Sequence, residues 1–206
     1  MGKIMIKGMN SGHAKMADWG MSYLNINSPK HIAELGCGGG RNAGALLKKY
    51  PKSYVAAIDY SPLSVAQAKE YNKQAILDGR CSVYEDDVSN LKLAKNKYDL
   101  ATAFETVYFW PDVIKCFQEV FSILNNGGYF MIVNESDGTD AAGKKFEKII
   151  DGMRVYTVHE IESALKNAGF AEIKTIHHEQ KPWITVVAKK LLRHNLIAAG
   201  GSMCDY

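Results

Sequence analysis

Residues 31–50 contain the pattern that most restricts the fold: an apolar strand, a glycine-rich turn and a helix in immediate succession. The segment HIAELGCGGGRN places four glycines within five positions, at 36 and 38–40, between the strand pattern and the helix pattern. Glycine permits positive φ and a close approach of the backbone to a ligand, and the N-terminus of the next helix offers unpaired N–H groups. We therefore predict a binding turn for a ligand that carries an anionic or acceptor group.

Strand and helix patterns alternate regularly beyond this turn. Strand patterns cover residues 31–35, 53–59, 81–85, 98–104 and 129–136, and helix patterns cover 41–50, 62–77 and 112–124. This alternation predicts a parallel sheet with helices on both faces. The last two strand patterns, 170–178 and 183–190, are joined only by EQKP and must pair antiparallel, because a parallel pair needs a much longer crossover. The predicted fold is α/β and doubly wound, with an antiparallel hairpin at one edge.

The length of the chain indicates one domain. Its 206 residues, 47% of them hydrophobic, suit one buried core, and residues 137–156 are polar, glycine-rich and partly helical, as in a lid. We divide the predicted single domain (1–206) into an N-terminal cap (1–30), a cofactor-binding core (31–136), a lid-like insertion (137–156), a C-terminal helix and hairpin (157–190) and a tail (191–206).

Composition excludes several kinds of partner. The net charge is only +3 and no dense run of Lys and Arg occurs, so no nucleic acid is expected as the main partner. The four cysteines lie far apart, without the spacing of a disulfide framework or a metal site, and we predict no metal. With no signal-peptide pattern and no apolar run of membrane-spanning length, we expect a cytoplasmic protein without a membrane partner, as a monomer or homodimer.

The glycine turn alone leaves two kinds of cofactor open. Gly36, Gly38 and Gly40 form GxGxG, whereas Gly38, Gly40 and Ala43 also fit the GxGxxG/A of dinucleotide-binding proteins. Asp59 ends the second strand about 20 residues further on, and a carboxylate there accepts hydrogen bonds from ribose hydroxyls in either case. An adenosine-like ligand across the strand ends is therefore predicted.

Three other features favour S-adenosylmethionine over a nicotinamide dinucleotide. Glu34 ends the strand before the glycines, Asp86-Asp87-Val88 follows the third strand, and the chain ends in a hairpin instead of a second mononucleotide-binding half. In these features the chain resembles the class I S-adenosylmethionine-dependent methyltransferases, in particular those that act on small molecules. The segments ELGCGGG, AAIDYS, EDDVSNL, YDLATAFETVYFWPD and LNNGGYFMIVNE are similar to the family's ordered motifs, over roughly residues 10–190.

This resemblance implies the fold and the reaction. The fold would be a Rossmann-like, mainly parallel seven-stranded sheet of order 3-2-1-4-5-7-6 with strand 7 antiparallel. The reaction would be in-line transfer of a methyl group from S-adenosylmethionine to a small-molecule acceptor, with S-adenosylhomocysteine as the product. No NPPY-type motif follows the fourth strand, so methylation of an adenine or glutamine amino group by that motif is not expected.

The resemblance also implies roles for individual residues. Glu34 and the glycine turn would hold the methionine part of the cofactor, Asp59 would bind the ribose hydroxyls and Tyr60 would pack on the adenine. Asp87 would accept a hydrogen bond from the exocyclic adenine amine, with Asp86 as the alternative. The complete predicted cofactor set is Glu34, Gly36, Cys37, Gly38, Gly40, Asn42, Asp59, Tyr60, Ser61, Asp86, Asp87, Val88, Phe104 and Glu105.

Catalytic residues are harder to predict, because a sulfonium methyl group is already activated for displacement. The enzyme needs mainly to align the nucleophile and exclude water, and it needs a general base only for a protonated nucleophile. The candidate catalytic residues are Glu105, His13 and Tyr108; for Glu105, contact with the cofactor's ammonium and a structural hydrogen bond are alternatives. The predicted substrate residues are Trp19, Tyr108, Trp110, Arg154 and Tyr156, with ordinary core packing as the alternative for Trp19.

Other functions remain compatible with these patterns. An NAD(P)-dependent reductase would also use a glycine turn followed by an acidic residue. A regulatory protein that binds S-adenosylmethionine without catalysis would keep the same binding residues. RNA methylation would require a basic stripe beside the pocket.

Overall fold

The central element is one seven-stranded sheet, and the computed structural model describes residues 13–191. The strands are β1 (His31–Leu35), β2 (Tyr54–Asp59), β3 (Cys81–Glu85), β4 (Tyr98–Phe104), β5 (Leu124–Asn134), β6 (Ala171–His177) and β7 (Ile184–Lys189). Their spatial order is β3-β2-β1-β4-β5-β7-β6. Strands β1 to β5 pair parallel, and β7 pairs antiparallel with both β5 and β6. The predicted strand order, the doubly wound α/β class and the antiparallel hairpin are confirmed.

The helices are α1 (Ala14–Ser22), α2 (Arg41–Lys49), α3 (Pro62–Tyr71), α4 (Lys73–Leu77), α5 (Val113–Ile123), α6 (Ala141–Ile149) and α7 (Val158–Asn167). Several of these helices begin with a side-chain cap. Ser61 accepts a hydrogen bond from the Ser64 N–H at 3.4 Å, and Thr157 forms a capping box with Glu160. These caps fix where α3 and α7 begin.

The helix predicted over residues 62–77 is in fact two helices, and the break lies at Asn72. Its backbone leaves the helical conformation at φ −103° and ψ 17°. Its side-chain amide donates hydrogen bonds to the carbonyls of Gly40 at 2.9 Å and Ala68 at 3.0 Å. The break therefore ties α3 to the glycine turn, a long-range contact that local helix periodicity does not show.

Strand β5 begins at Leu124, five residues earlier than the sequence pattern predicts. The segment Asn125–Gly128, which the sequence patterns leave outside both the helix and the strand, belongs to the strand, with a register shift opposite β4. Asn125 donates hydrogen bonds from its side chain to the Lys97 carbonyl at 3.1 Å and to Asp99 Oδ1 at 2.8 Å. These bonds hold the residues that propensity assigns to a turn.

Hydrophobic cores lie on both faces of the sheet. One core contains Phe117 and Phe130 and is covered by α5 and α7, and the other contains Leu46 and Met131 and is covered by α1, α2 and α3. Helix α1 lies very close to β5: a Cβ added at Gly20 would stand 2.6 Å from both γ-carbons of Val133. This contact places the N-terminal helix above the carboxyl-end half of the sheet.

Residues 137–156, predicted as a lid-like insertion, contain helix α6. Asp140 caps this helix by accepting a hydrogen bond from the Gly143 N–H at 2.7 Å. The apolar side chains of Phe146 and Ile149 remain exposed on it. Within residues 13–191, no helix has the length and apolar character needed to cross a membrane.

Candidate cofactor site

A cavity of about 540 Å³ opens at the carboxyl ends of β1, β2 and β4. This is the position at which open α/β sheets bind ligands, and the volume lies in the range of small-molecule pockets. One wall is the glycine turn with the start of α2, and a second wall, which adjoins the turn at Thr106, is the segment after β4 together with the start of α1.

The glycine turn is held against β2 by its backbone. The N–H groups of Gly36 and Cys37 both donate to the Ile58 carbonyl, at 2.9 and 2.8 Å. Gly36 has φ +80°, and a Cβ there would lie 2.4 Å from Thr106 Cγ2. This position therefore requires glycine for both its backbone conformation and its packing.

Two further glycines in the turn have different neighbours. A Cβ at Gly40 would lie 2.7 Å from the Ala68 Cα, so Gly40 is needed for the approach of α3. A Cβ at Gly38 would meet no atom within 4 Å, and Gly38 lines the cavity. The open space beside Gly38 is a cradle in which ligand atoms can contact the backbone directly.

Asp59 lies at the end of β2 and faces the cavity from beside this cradle. Its Oδ2 accepts a hydrogen bond from the Gly38 N–H at 2.8 Å, and its Oδ1 accepts one from the Ser61 N–H at 2.9 Å. A carboxylate has about four acceptor sites, so Asp59 retains capacity for two hydroxyl donors of a ligand. Tyr60, which is 79% exposed, lines the same side of the cavity.

Asp86 and Asp87 both line the cavity after β3, but their environments differ. Asp86 is buried, and its two oxygens accept hydrogen bonds from the N–H groups of Asp87 and Lys92, each at 3.0 Å. Asp87 is exposed and accepts one hydrogen bond, from the Ser89 N–H at 2.8 Å. Asp86 therefore holds the loop after β3 in place, while Asp87 is more available to accept a hydrogen bond from a ligand.

Glu34 lies beneath the glycine turn and is only 1% exposed. Burial, followed by the nearby charge of Asp59, raises its pKa to about 8, whereas the Ala43 N–H and the Arg41 charge act to lower it. Its Oε2 has no hydrogen-bond partner among the described residues. A positively charged ligand group above the turn would compensate this buried carboxyl.

The wall formed by the segment after β4 carries a network around Glu105, whose backbone is left-handed at φ +60°. Its Oε1 accepts hydrogen bonds from the Tyr108 hydroxyl at 3.2 Å and from the Glu135 N–H, and the Tyr108 oxygen accepts one from the Ser136 N–H at 3.0 Å. His13 Nδ1 lies 3.3 Å from Glu105 Oε2 and 3.6 Å from Glu135 Oε2. The hydrogen bond to Glu105 and the two carboxylate charges raise the pKa of His13 despite its partial burial.

The same three side chains have the composition of a metal site, because ligand atoms of His13, Glu105 and Glu135 lie within 4.8 Å of one another. The pairing of a basic imidazole with two carboxylates accounts for this proximity. Sequence spacing did not indicate the cluster, since its members lie just before α1, just after β4 and just after β5.

Helix α1 forms part of the cavity wall and is fastened to the glycine-turn side by an ion pair. Arg41 Nη2 lies 2.6 Å from each carboxylate oxygen of Asp18. His13, Ala14 and Arg41 all line the cavity. The N-terminal helix thus spans from one wall to the other.

Most of the predicted cofactor residues meet at this cavity. The lining members are Gly36, Cys37, Gly38, Asn42, Asp59, Tyr60, Asp86, Asp87, Val88, Phe104 and Glu105. Glu34, Gly40 and Ser61 stand behind the wall and support it. Lining residues outside the predicted sets are Ala14, Gly39, Arg41, Ile58, Ser64, Thr106, Phe109 and Pro111. Three of these residues are next to predicted site residues in the sequence: Arg41, Phe109 and Pro111. This adjacency is the signal that could have identified them as lining residues.

The predicted substrate residues are placed differently, and only Trp110 lines the cavity. The placement of Trp19 in the pocket is corrected, because its ring packs against those of Tyr23, His178 and Trp183 with centroids 5.4, 5.3 and 6.1 Å apart. Tyr108, only 2% exposed, sits behind Glu105.

Arg154 and Tyr156 also lie outside the cavity lining. The Arg154 guanidinium stacks 4.8 Å from the centroid of the Tyr156 ring and pairs with Glu160 at 3.2 Å, while Tyr156 itself belongs to the core. Tyr156 is therefore a buried core residue, whereas the Arg154 side chain lies on the surface, 62% exposed.

Known proteins share this architecture. A family model described as a methyltransferase domain matches residues 32–128. The methyltransferase phqN of Penicillium fellutanum is 24% identical over 82% of this chain and 56% of its own length. The trans-aconitate 2-methyltransferase of Escherichia coli is 30% identical over 54% of this chain and 42% of its own length. The chain thus spans about half the length of the curated relatives it matches.

Solved structures show the same fold. A chain in the complex between the Haloferax volcanii Trm112 methyltransferase activator and a putative methyltransferase superposes with TM-score 0.84 at 17% identity, covering 91% of this chain and 94% of that one. Geranyl diphosphate C-methyltransferase from Streptomyces coelicolor, in complex with Mg²⁺, geranyl diphosphate and S-adenosyl-L-homocysteine, gives 0.76 at 11% identity, with coverages of 86% and 78%. The chain thus shares its strand order and fold with these methyltransferase structures, and its residues 32–128 match the methyltransferase-domain model.

Proposed function

We propose that the protein transfers a methyl group from S-adenosylmethionine to a small-molecule acceptor. The observation that carries this proposal is the single cavity wall in which Gly38, Asp59 and Asp87 meet, facing a second wall of aromatic and acidic side chains. The first wall has the acceptors and open backbone that an adenosine-containing cofactor needs. The second wall leaves room for another molecule next to it.

The residues present fit the cofactor. Asp59 would accept hydrogen bonds from the ribose hydroxyls, Tyr60 would lie against the adenine, and Asp87 would accept one from its exocyclic amine. The turn at Gly36–Gly40 would hold the methionine part, above the buried Glu34 carboxyl. When bound, the cofactor supplies a methyl group on a sulfonium, which is activated for in-line displacement without further chemistry.

His13 and Glu105 are the proposed functional groups on the acceptor side. His13 lines the cavity, and its Nδ1 faces two carboxylates, so the imidazole is oriented by Glu105 and Glu135. An imidazole that two carboxylates orient in this way is a candidate general base in its neutral form. Tyr108 would act as a positioning residue, because its hydroxyl holds Glu105 from behind.

The acceptor is proposed to have an apolar or aromatic part. The cavity lining after β4 is largely apolar and includes Phe104, Phe109, Trp110 and Pro111. Among the relatives, sterol 24-C-methyltransferase and trans-aconitate 2-methyltransferase are named for small organic acceptors. A protein partner is a separate possibility suggested by the activator in the Haloferax complex, and size-exclusion chromatography with light scattering would show whether the chain alone is a monomer or homodimer.

Binding and turnover must be tested separately. Calorimetry should show that the protein binds S-adenosylhomocysteine, and that Asp59→Ala weakens this binding while Glu85→Gln, an exposed carboxyl at the end of β3, does not. Incubation with methyl-labelled S-adenosylmethionine and a panel of hydroxyl, amine, thiol and carbon nucleophiles should label one acceptor class.

Other results would point to other functions. Binding of NADH without binding of S-adenosylhomocysteine would refute the proposal in favour of a reductase. Tight binding of S-adenosylhomocysteine with no labelled product across the panel would indicate a binding protein that lacks catalysis.

A further inference from the structure

Glu34 is the most deeply buried acidic side chain in the described residues, and the binding role proposed above leaves its protonation unexplained. It is the last but one residue of β1, below the glycine turn and 1% exposed, and its Oε2 has no hydrogen-bond donor among the residues that the structure describes. The Ala43 N–H is a donor to this carboxyl, but a charged carboxylate in such a place lacks a donor to its second oxygen and the water that normally stabilises it. An uncharged carboxyl is the more stable form until a positive group arrives.

The charged groups around Glu34 come from each neighbouring element. Asp59 on β2 contributes a second negative charge, and Arg41 on α2 contributes a positive one. The Arg41 guanidinium is engaged by both carboxylate oxygens of Asp18 at 2.6 Å, so part of its charge is already neutralised. The thiols of Cys37 and Cys81 are the other titratable neighbours, and burial raises the pKa of each, so both stay uncharged near neutral pH.

We propose that Glu34 is protonated in the free protein and releases its proton when the positively charged cofactor binds above the turn. This inference rests on the proposed function. When the cofactor cation binds, the O–H bond of the Glu34 carboxyl breaks, a carboxylate remains beneath the cation, and one proton leaves to solvent. S-Adenosylhomocysteine has lost the sulfonium charge, so it gives the carboxylate less compensation. Glu34 is therefore a specificity-determining residue that favours the charged cofactor over its neutral thioether product.

The proposal has a pH signature. A carboxyl with a pKa of about 8 is roughly 90% protonated at pH 7, so S-adenosylmethionine should displace up to about 0.9 proton there and almost none above pH 9. Removing the proton is increasingly unfavourable below pH 8. The affinity for S-adenosylmethionine should therefore rise about tenfold from pH 7 to pH 9 through this group alone, and the affinity for S-adenosylhomocysteine should rise less.

Calorimetry in two buffers of different ionisation enthalpy counts the protons directly. The titrants are S-adenosylmethionine and S-adenosylhomocysteine, which share the same amino group, so the difference between their proton counts isolates the sulfonium. The wild type should release more protons with S-adenosylmethionine at pH 7. Glu34→Gln keeps the shape of the side chain and cannot ionise, so it should abolish this difference and lose the pH-dependent preference, whereas Glu85→Gln should behave as the wild type.

Thermal unfolding of Glu34→Gln with and without S-adenosylhomocysteine verifies that the variant folds and binds. An infrared difference spectrum on binding S-adenosylmethionine should show loss of a protonated-carboxyl band in the wild type only, a readout that does not depend on the variant. Equal proton counts for the two titrants in the wild type would overturn the inference and leave the proposed function intact. If neither titrant binds the wild type, both the inference and the proposed function are wrong.

Discussion

Replacing Gly36 by alanine should destabilise the protein strongly, because the glycine turn is built against the segment that follows β4. The added Cβ would lie 2.4 Å from Thr106 Cγ2, 2.7 Å from Thr106 Cβ and 3.0 Å from Thr106 Oγ1. Thr106 has little freedom to move away, since its hydroxyl donates a hydrogen bond to the Leu35 carbonyl at 3.0 Å. The backbone at Gly36 is also left-handed, at φ +80°.

Two costs add at this position. A left-handed backbone costs a residue with a Cβ about 1–2 kcal/mol. Forcing extra atoms into a packed contact costs about 1–3 kcal/mol. The free energy of unfolding of Gly36→Ala should therefore fall by about 2–5 kcal/mol. Gly38→Ala is the matched control: its φ is +51°, but its Cβ would meet no atom within 4 Å, so only the backbone cost of about 1–2 kcal/mol applies.

Urea denaturation followed by circular dichroism measures both variants against the wild type. Combining Gly36→Ala with Thr106→Ser, which removes the nearest methyl group and keeps the hydroxyl, should recover at least about 1 kcal/mol through the coupling of the two positions. The reasoning fails if Gly36→Ala is no more destabilising than Gly38→Ala, or if the two changes at Gly36 and Thr106 are simply additive.

Three further changes test other parts of the molecule. Asp59→Ala should weaken S-adenosylhomocysteine binding by about 1–3 kcal/mol, the scale for hydrogen bonds to a charged group, and unchanged affinity in calorimetry would remove Asp59 from the site. Hydrogen bonds from Thr157 are the main cause that lowers the pKa of Glu160. The ionised form of Glu160 therefore stabilises the fold above its ordinary pKa of 4.5, and this contribution is lost as the pH falls through the pKa of the folded state. Glu160→Gln, which keeps the shape of the side chain and cannot ionise, should therefore make the loss of stability in acid shallower; an acid profile parallel to that of the wild type would contradict this. Lys190 donates hydrogen bonds from its ammonium to three oxygens at 2.7–2.9 Å, so Lys190→Met should cost about 2 kcal/mol, and an unchanged urea midpoint would show that these bonds contribute little.

Much of the fold was predictable, because its signals are local. The period of apolar residues defines each strand and helix, and the four-residue EQKP connection forces an antiparallel pair. The start of β5 and the break at Asn72 were not predictable in this way. Both depend on hydrogen bonds to residues far away in the sequence, from Asn125 to Asp99 and from Asn72 to Gly40.

The residues of the site also differ in whether a local sequence signal predicts their position. Asp59 and Asp87 follow strands directly, so their position at the carboxyl ends of a parallel sheet determines that they face one cavity. Trp19 and Arg154 failed as pocket residues because the direction of a side chain depends on how its helix or loop packs, which residue type does not reveal. The contact between His13 and Glu135 joins segments more than a hundred residues apart and has no local signature.

Helix α1 has a practical consequence for where the domain can be cut. The family match begins at residue 32, whereas His13 and Ala14 complete the wall of the cavity and Asp18 fastens that wall to Arg41. A fragment that starts at residue 32 would lose the first residue of β1 and the helix that covers one hydrophobic core, and it would present an open trough in place of a pocket. Such a fragment would be a poor binder, and a screen for ligands performed on it would miss the molecule that the longer chain recognises.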